Sequence, residues 1–156
     1  MISTATLSAY RTYRYSLTRE WGSGFAVLFV GLNPSTADET LDDPTIRRWV
    51  SFAREWGYAR LHMANLFAFR ATDPRDMKNA TDPVGPENDK QLLTLANDSI
   101  LTVAAWGVHG TFGGRHKAVR QMLPRLHYLR LTKDGHPGHP LYLPKTLRPV
   151  EWQQDA

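Results

Sequence analysis

The chain has 156 residues and a formal net charge of +4, with 42% hydrophobic and 22% charged residues, which is an ordinary composition for a globular domain. It contains no cysteine, so disulfide bonds, thiolate nucleophiles and cysteine-ligated metals are excluded and a reducing compartment is favoured. No apolar run approaches the ~20 residues of a membrane span, and no signal peptide opens the chain. We expect one cytoplasmic domain over residues 1–156, with no membrane or obligate protein partner.

The first half of the chain predicts a strand–helix–strand unit. Partial alternation over residues 10–21 indicates an N-terminal edge strand or hairpin arm, and the apolar run 25–30 is typical of a strand buried on both faces. Asp43 and Pro44 begin an amphipathic helix as its N-cap and first residue, and Gly57 ends it. The next strand is predicted over residues 61–69.

The second half continues the same alternation after a long connection rich in proline and aspartate, a type of loop that is often functional. The predicted elements are a helix opened by Pro86 with Leu92, Leu93, Leu95 and Ala96 inward, a strand over 100–106, a glycine-rich bend over 107–115, a helix to Met122, a strand over 126–131 and a loop over 132–142. This order predicts the α/β class, as a three-layer α/β/α fold with a central, mostly parallel four-stranded sheet.

The carboxyl ends of parallel strands meet at one edge of an open sheet, and ligands bind there. Four segments follow predicted strands: 31–35, 65–70, 106–110 and 132–142. We expect them to converge on one cleft.

The turn after the first buried strand carries the leading candidate. Gly31 permits a sharp turn and close approach of a ligand to the backbone. Asn33 offers one acceptor and two donors, which suit a water, a base or a sugar, and Pro34 makes the turn rigid. The simpler interpretation is an ordinary Asn-Pro turn.

An acidic cluster and a histidine loop offer further chemistry. Asp38, Asp42 and Asp43 are candidates for a general base or for divalent-cation ligands, although Asp43 is also explained as a helix cap. His136 and His139 have a spacing that metal ligands use, but a proline follows each and no third ligand is near in sequence. His139 is better explained as a donor to a developing anion.

Other strand ends supply polar and aromatic groups. Asn65 is a buried amide that either reads the edge of a base or is satisfied within a turn. Trp106-Gly107 forms either an aromatic wall or part of the core. Arg70 and Arg115 either face phosphates or lie on a solvated surface.

Several of these segments together resemble a bacterial and phage family, domain of unknown function 1643. They are Gly31-Leu32-Asn33-Pro34-Ser35-Thr36-Ala37-Asp38, Asp42-Asp43-Pro44-Thr45-Ile46-Arg47-Arg48, Asn65-Leu66-Phe67-Ala68-Phe69-Arg70 and His139-Pro140-Leu141-Tyr142-Leu143. The resemblance covers nearly the whole chain and implies no particular activity.

A more distant resemblance is to the uracil-DNA glycosylase superfamily. Gly31-Leu32-Asn33-Pro34 is similar to the turn whose Asn positions the attacking water, Asn65 matches the Asn that reads the pyrimidine edge, and His139-Pro140 resembles the loop that stabilises the departing base. Trp106-Gly107 resembles the Trp-Gly that precedes the last helix. The sequence departs from that pattern where His-Pro-Leu-Tyr replaces the loop that carries DNA-gripping serines.

These observations lead to one hypothesis and two alternatives. The hypothesis is a DNA glycosylase-like hydrolase that cleaves the N-glycosidic bond of a damaged or modified base in DNA or a nucleotide, with no cofactor and no metal. Its predicted residues are catalytic Asn33, His139 and Asp38, substrate-binding Gly31, Leu32, Pro34, Ser35, Asn65, Phe67, Trp106, Gly107 and Tyr142, and nucleic-acid-binding Arg70, Arg115, Lys133 and His136. The alternatives are a non-catalytic base-binding module, and a metal-dependent hydrolase that uses Asp38, Asp42 and His139 or His136.

Overall fold

The computed structural model describes residues 1–123 and 125–153, and the last three residues of the predicted domain lie outside this part of the chain. The strands are β1 Ile2–Leu7, β2 Arg14–Glu20, β3 Ala26–Gly31, β4 Arg60–Asn65, β5 Leu101–Ala104, β6 Leu126–Tyr128 and β7 Val150–Glu151. The α-helices are α1 Pro44–Glu55, α2 Pro74–Lys78, α3 Asn88–Asn97 and α4 Arg115–Met122, with 3₁₀ turns at Val108–Gly114 and Pro140–Tyr142. The predicted α/β class is confirmed.

Over the described residues, seven strands form one mixed sheet in the order β1-β2-β4-β3-β5-β6-β7. The prediction of a four-stranded sheet is therefore wrong. Strands β4, β3, β5 and β6 are mutually parallel and form its middle. The N-terminal hairpin of β1 and β2 adds to β4 in antiparallel fashion, and β7 adds to β6. Strand β7 was missed because two exposed residues carry no periodic signal.

Helices cover both faces of the sheet, and each face has its own hydrophobic cluster. On one face α1 packs through Trp49 and Phe52 against Phe29 of β3. On the other face α3 and α4 pack through Leu92 and Val119. Strand β3 is buried along its whole length between these two layers, as its unbroken apolar sequence predicts.

Local sequence signals fix the ends of α1 as predicted. The Asp43 side chain accepts a 2.9 Å hydrogen bond from the Ile46 N–H, and Pro44 occupies the first turn. Gly57 follows the helix with a φ of 87°, a conformation that favours glycine. The inward prediction for Leu93 is wrong, because this side chain of α3 is 43% exposed.

Within the described ranges, no helix combines the length and the apolar character that crossing a membrane requires.

Candidate functional site

A cleft of about 580 Å³ opens at the carboxyl ends of the central parallel strands. The four segments expected there all contribute to it, together with the start of α1 and the connection that precedes α2. Its lining consists of Gly31, Leu32, Asn33, Ser35, Asp43, Thr45, Trp49, Met63, Asn65, Ala71, Thr72, Pro74, Trp106, Gly107, Val108, His109, His139 and Tyr142. The cleft therefore lies where the strand order predicts a ligand site.

Asn65 ends β4 and places a buried amide in the wall of the cleft. The residue is 2% exposed, and neither Oδ1 nor Nδ2 has a hydrogen-bond partner. Its backbone is held firmly, because the Asn88 side chain donates 3.0 Å hydrogen bonds to the carbonyls of Asn65 and Leu66. A buried amide left without partners costs about 1–3 kcal/mol. The protein therefore leaves both the donor and the acceptor of this lining side chain without a partner.

Two neighbours of Asn65 complete the floor of the cleft. An added Cβ on Gly31 would lie 2.8 Å from Asn65 Oδ1 and 3.0 Å from the Trp49 ring, so only glycine leaves this amide its place. The Trp49 indole N–H is also buried without a partner. Its ring stacks on Phe29 with the centroids 4.9 Å apart. The floor therefore combines an aromatic surface with unpaired polar groups, as sites for planar polar ligands do.

Asn33 presents its amide oxygen rather than its nitrogen. Its Nδ2 donates to the carbonyl of Ala71 at 2.7 Å and to that of Pro34 at 3.3 Å. Pro34 is buried beneath the turn, and its carbonyl also accepts from the Ala71 N–H at 2.9 Å. Because both amide protons are used, Oδ1 is the atom of Asn33 that remains to accept a hydrogen bond from water or ligand.

His139 reaches the cleft from the loop that follows β6. Its Nδ1 accepts a 3.3 Å hydrogen bond from the Leu141 N–H, which assigns the proton of the neutral ring to Nε2. Burial lowers the pKa of His139 from its usual 6.5, while the Asp43 carboxylate opposes this shift. Arg48 of α1 holds the loop by donating to the carbonyls of Pro140 and Leu143.

The lowered pKa of His139 predicts a pH-dependent stability. The unfolded chain binds a proton at His139 below pH 6.5, whereas the folded chain binds it only at lower pH. This contribution to the free energy of unfolding is present above pH 6.5 and is lost as the pH falls from there through the folded pKa. Urea unfolding of wild type and His139→Gln checks this: the free energy of unfolding of wild type should fall relative to that of the variant as the pH falls. A constant difference would contradict it.

Arginines of the N-terminal hairpin hold the loop between β3 and α1. Arg14 and Arg19 are each 1% exposed; Arg14 donates to the Ala37 carbonyl at 2.8 Å, and Arg19 pairs with Asp42 at 2.9 Å. Burial lowers the pKa of Arg14 to about 10. Asp38 accepts from the Thr40 and Leu41 N–H groups, which together with Arg11 lower its pKa.

Asp38, a predicted catalytic residue, thus bonds within its own loop and lies outside the described cleft lining. Arg70 contacts the carbonyls of Ser35 and Thr36 of the same loop. Arg115 was predicted to bind a phosphate. It is 8% exposed, and its guanidinium donates hydrogen bonds to the Leu66 carbonyl and to the Asp89 carboxylate.

The remaining predicted residues lie elsewhere. Phe67 is buried in the opposite core, with its ring 5.9 Å from that of Phe112. Lys133 is exposed on the loop after β6, and His136 lines a different cleft from His139. Across the described residues, no three His, Asp or Glu side chains are grouped so that they could hold a metal ion.

Sequence reasoning missed several lining residues. Asp43 was one of three candidate carboxylates and was also explained as a helix cap; it is the one carboxylate among the described residues of the lining, and the cap uses only its Oδ1. Trp49 lies on the apolar face of α1, and helical spacing does not show where the core meets the cleft. Ala71, Thr72 and Pro74 belong to the long connection after β4, and a loop of that length is often functional. His109 gave no signal beyond its position after a strand.

Comparison with known proteins supports a family assignment. The family model described as "Protein of unknown function (DUF1643)" matches residues 14–141, which run from the start of β2 to the 3₁₀ turn after His139. The searches of curated proteins and of solved structures returned no match. The matched range includes every described residue of the cleft lining except Tyr142. The chain therefore belongs to the DUF1643 family.

Proposed function

We propose that the cleft binds a nucleobase and hydrolyses its N-glycosidic bond, in the manner of a DNA glycosylase. The observation that carries this proposal is the unpaired, buried amide of Asn65. An amide presents a donor beside an acceptor, so its complement is a ligand edge with a carbonyl next to an N–H. The 4-oxopyrimidine and 6-oxopurine bases carry such an edge, and a flipped base enters a pocket of this kind.

The cleft also has groups for the chemical step. Asn33 Oδ1 accepts a hydrogen bond from a water directed at the anomeric carbon, and Asp43 replaces Asp38 as the carboxylate that takes the proton of this water. The water oxygen forms the new bond to carbon, and the carbon–nitrogen bond breaks with its electron pair left on the base. His139 Nε2–H then stabilises the base anion, which takes a proton from solvent.

The state of His139 suits this role. A neutral ring stabilises an anion by donating a hydrogen bond from Nε2. Its Nδ1 carries no proton and stays free to accept the hydrogen bond from the Leu141 N–H. The lowered pKa and the Leu141 N–H bond both favour this neutral tautomer. Tyr142 lies at the mouth with its ring 5.7 Å from His139 and 84% exposed, so it offers a stacking surface.

The proposal is tested by a base-release screen over single-stranded and duplex DNA with damaged and hypermodified bases, and over the matching nucleosides. We expect one base class to be released by wild type. Asn33→Ala should release it at least ~10²-fold more slowly and keep its circular dichroism, although its unfolding midpoint should fall because the Ala71 and Pro34 carbonyls lose the Nδ2 donor. Unchanged release by this variant, or no release of any base, would overturn the mechanism.

A second candidate is a module that binds the base without cleaving it. It is favoured by the engagement of Asp38 in its loop and by the use of Asp43 as a helix cap, which leave the cleft poor in carboxylates. This candidate predicts saturable binding that depends on Asn65 and no product after long incubation. Release of more than one base per protein molecule excludes it.

A further inference from the structure

A second cleft of about 410 Å³ lies beside the first. The two clefts are neighbours, because Trp106 belongs to the lining of both. The side chains that give the second cleft its character are His116, Lys117, Arg120, His136 and Trp152. Asp134 is the one acidic residue of its described lining. The second cleft is therefore predominantly basic and partly aromatic.

One loop supplies a histidine to each cleft. The Gly107 N–H donates to the Pro137 carbonyl at 2.8 Å, which fixes the loop against the end of β5. On one side of this contact His136 faces the second cleft, and on the other side His139 faces the first. The two clefts are thus held in a fixed relation by the backbone.

The basic groups of the second cleft crowd one another. His116 Nδ1 is buried without a hydrogen-bond partner. Burial and the nearby charges of Lys117, His136 and Arg120 lower the pKa of His116. The Arg120 guanidinium is held 3.8 Å above the Trp152 ring. Because like charges in one cleft repel, an anion bound between them would be stabilised by all of them.

We infer that the second cleft binds a phosphodiester group of the nucleic acid strand whose base occupies the first cleft. This inference rests on the proposed function, and it specifies a polymeric substrate. Because the two clefts share Trp106 in their linings, the phosphate lies next to the bound nucleotide along the strand. Aromatic Trp152 beside the cations suits a neighbouring base or sugar, as in other single-strand grooves.

The test compares two exposed helix lysines, Lys117 in the second cleft and Lys90 on α3 away from it. Fluorescence anisotropy with a labelled single-stranded oligonucleotide that contains only ordinary bases measures binding without turnover. Lys117→Glu should weaken binding about tenfold and reduce the slope of log affinity against log salt by about 0.7. The charge-matched Lys90→Glu should change affinity by less than about twofold.

Equal effects of the two variants, or no effect of Lys117→Glu, would overturn the inference. A nucleoside monophosphate serves as the competitor that distinguishes the sources of phosphate. If it binds as tightly as the oligonucleotide and with the same dependence on Lys117, the phosphate belongs to a free nucleotide and the polymeric assignment is wrong. Anisotropy with the ordinary-base oligonucleotide measures strand binding without turnover, so failure of base release and failure of this inference are separate results.

Discussion

Replacing Asn65 with leucine is expected to abolish recognition of the base and, at the same time, to raise the free energy of unfolding by about 1 kcal/mol. The amide is buried and unpaired, so the folded protein bears its desolvation cost without a compensating hydrogen bond. Leucine has a similar shape and no polar atoms. Urea unfolding measures the stability, and calorimetric titration with the released base measures recognition.

Asn88→Leu is the matched control, because Asn88 is equally buried but its Nδ2 donates to two backbone carbonyls at 3.0 Å. Its loss should lower the free energy of unfolding by about 1–3 kcal/mol, since the Asn65 carbonyl loses this donor and the Leu66 carbonyl keeps only the bond from Arg115. Opposite signs for the two substitutions would mark Asn65 as a residue kept for its ligand. If Asn65→Leu destabilises the protein as much as Asn88→Leu, Asn65 is a structural residue and the proposed function loses its main support.

Replacing His139 with alanine is expected to slow base release about 10²–10³-fold, the usual effect of removing one donor to a developing anion. Binding of the intact substrate should change little, because the negative charge on the base develops only as the bond breaks. Single-turnover rates measure the chemical step, and anisotropy with the uncleaved strand measures binding. The rate of wild type should fall at low pH, with a midpoint below 6.5. Protonation places a hydrogen on Nδ1, which then no longer accepts the Leu141 N–H bond that holds the ring.

His139→Gln provides the control for this prediction. Glutamine also carries an N–H donor and has no proton to titrate near neutrality. It should restore part of the rate lost in His139→Ala, and the low-pH decline should disappear. A rate in His139→Ala equal to that of wild type, or the same low-pH decline in His139→Gln as in wild type, would rule out the proposed role.

The position of the site could be predicted because it depends on strong local signals. The apolar run that became β3, the capped helix α1 and the glycine turn at Gly31 are each determined by nearby sequence. Together they predict that β3 and β4 are parallel neighbours. Asn33 and Asn65 then lie at the same edge of the sheet, because both lie at or just beyond the carboxyl ends of these strands. The unpaired state of Asn65 was not predictable, because it depends on every atom that packs around the amide.

The role of the arginines could not be predicted for a related reason. Strand β2 alternates apolar and polar residues, which predicts Arg14 on a solvated face, yet both of its faces are covered. Arg19 lies on the same face of the strand as the core residue Leu17, and Arg14 and Arg19 donate to carbonyls of the loop before α1. The periodicity of a strand does not show that a loop distant in sequence packs over it. The same reason explains why Arg70 and Arg115 were assigned to phosphates.

Helix α1 supplies parts of the cleft at several points along its length. Its cap residue Asp43 and its core residue Trp49 both line the cleft, and Arg48 between them anchors the loop of His139. A ligand that joins Asn65 to His139 therefore also ties the helix to strand β4. Thermodynamic linkage then makes occupancy measurable without any knowledge of the reaction: at a hundred times its dissociation constant, a ligand raises the free energy of unfolding by about 2.7 kcal/mol.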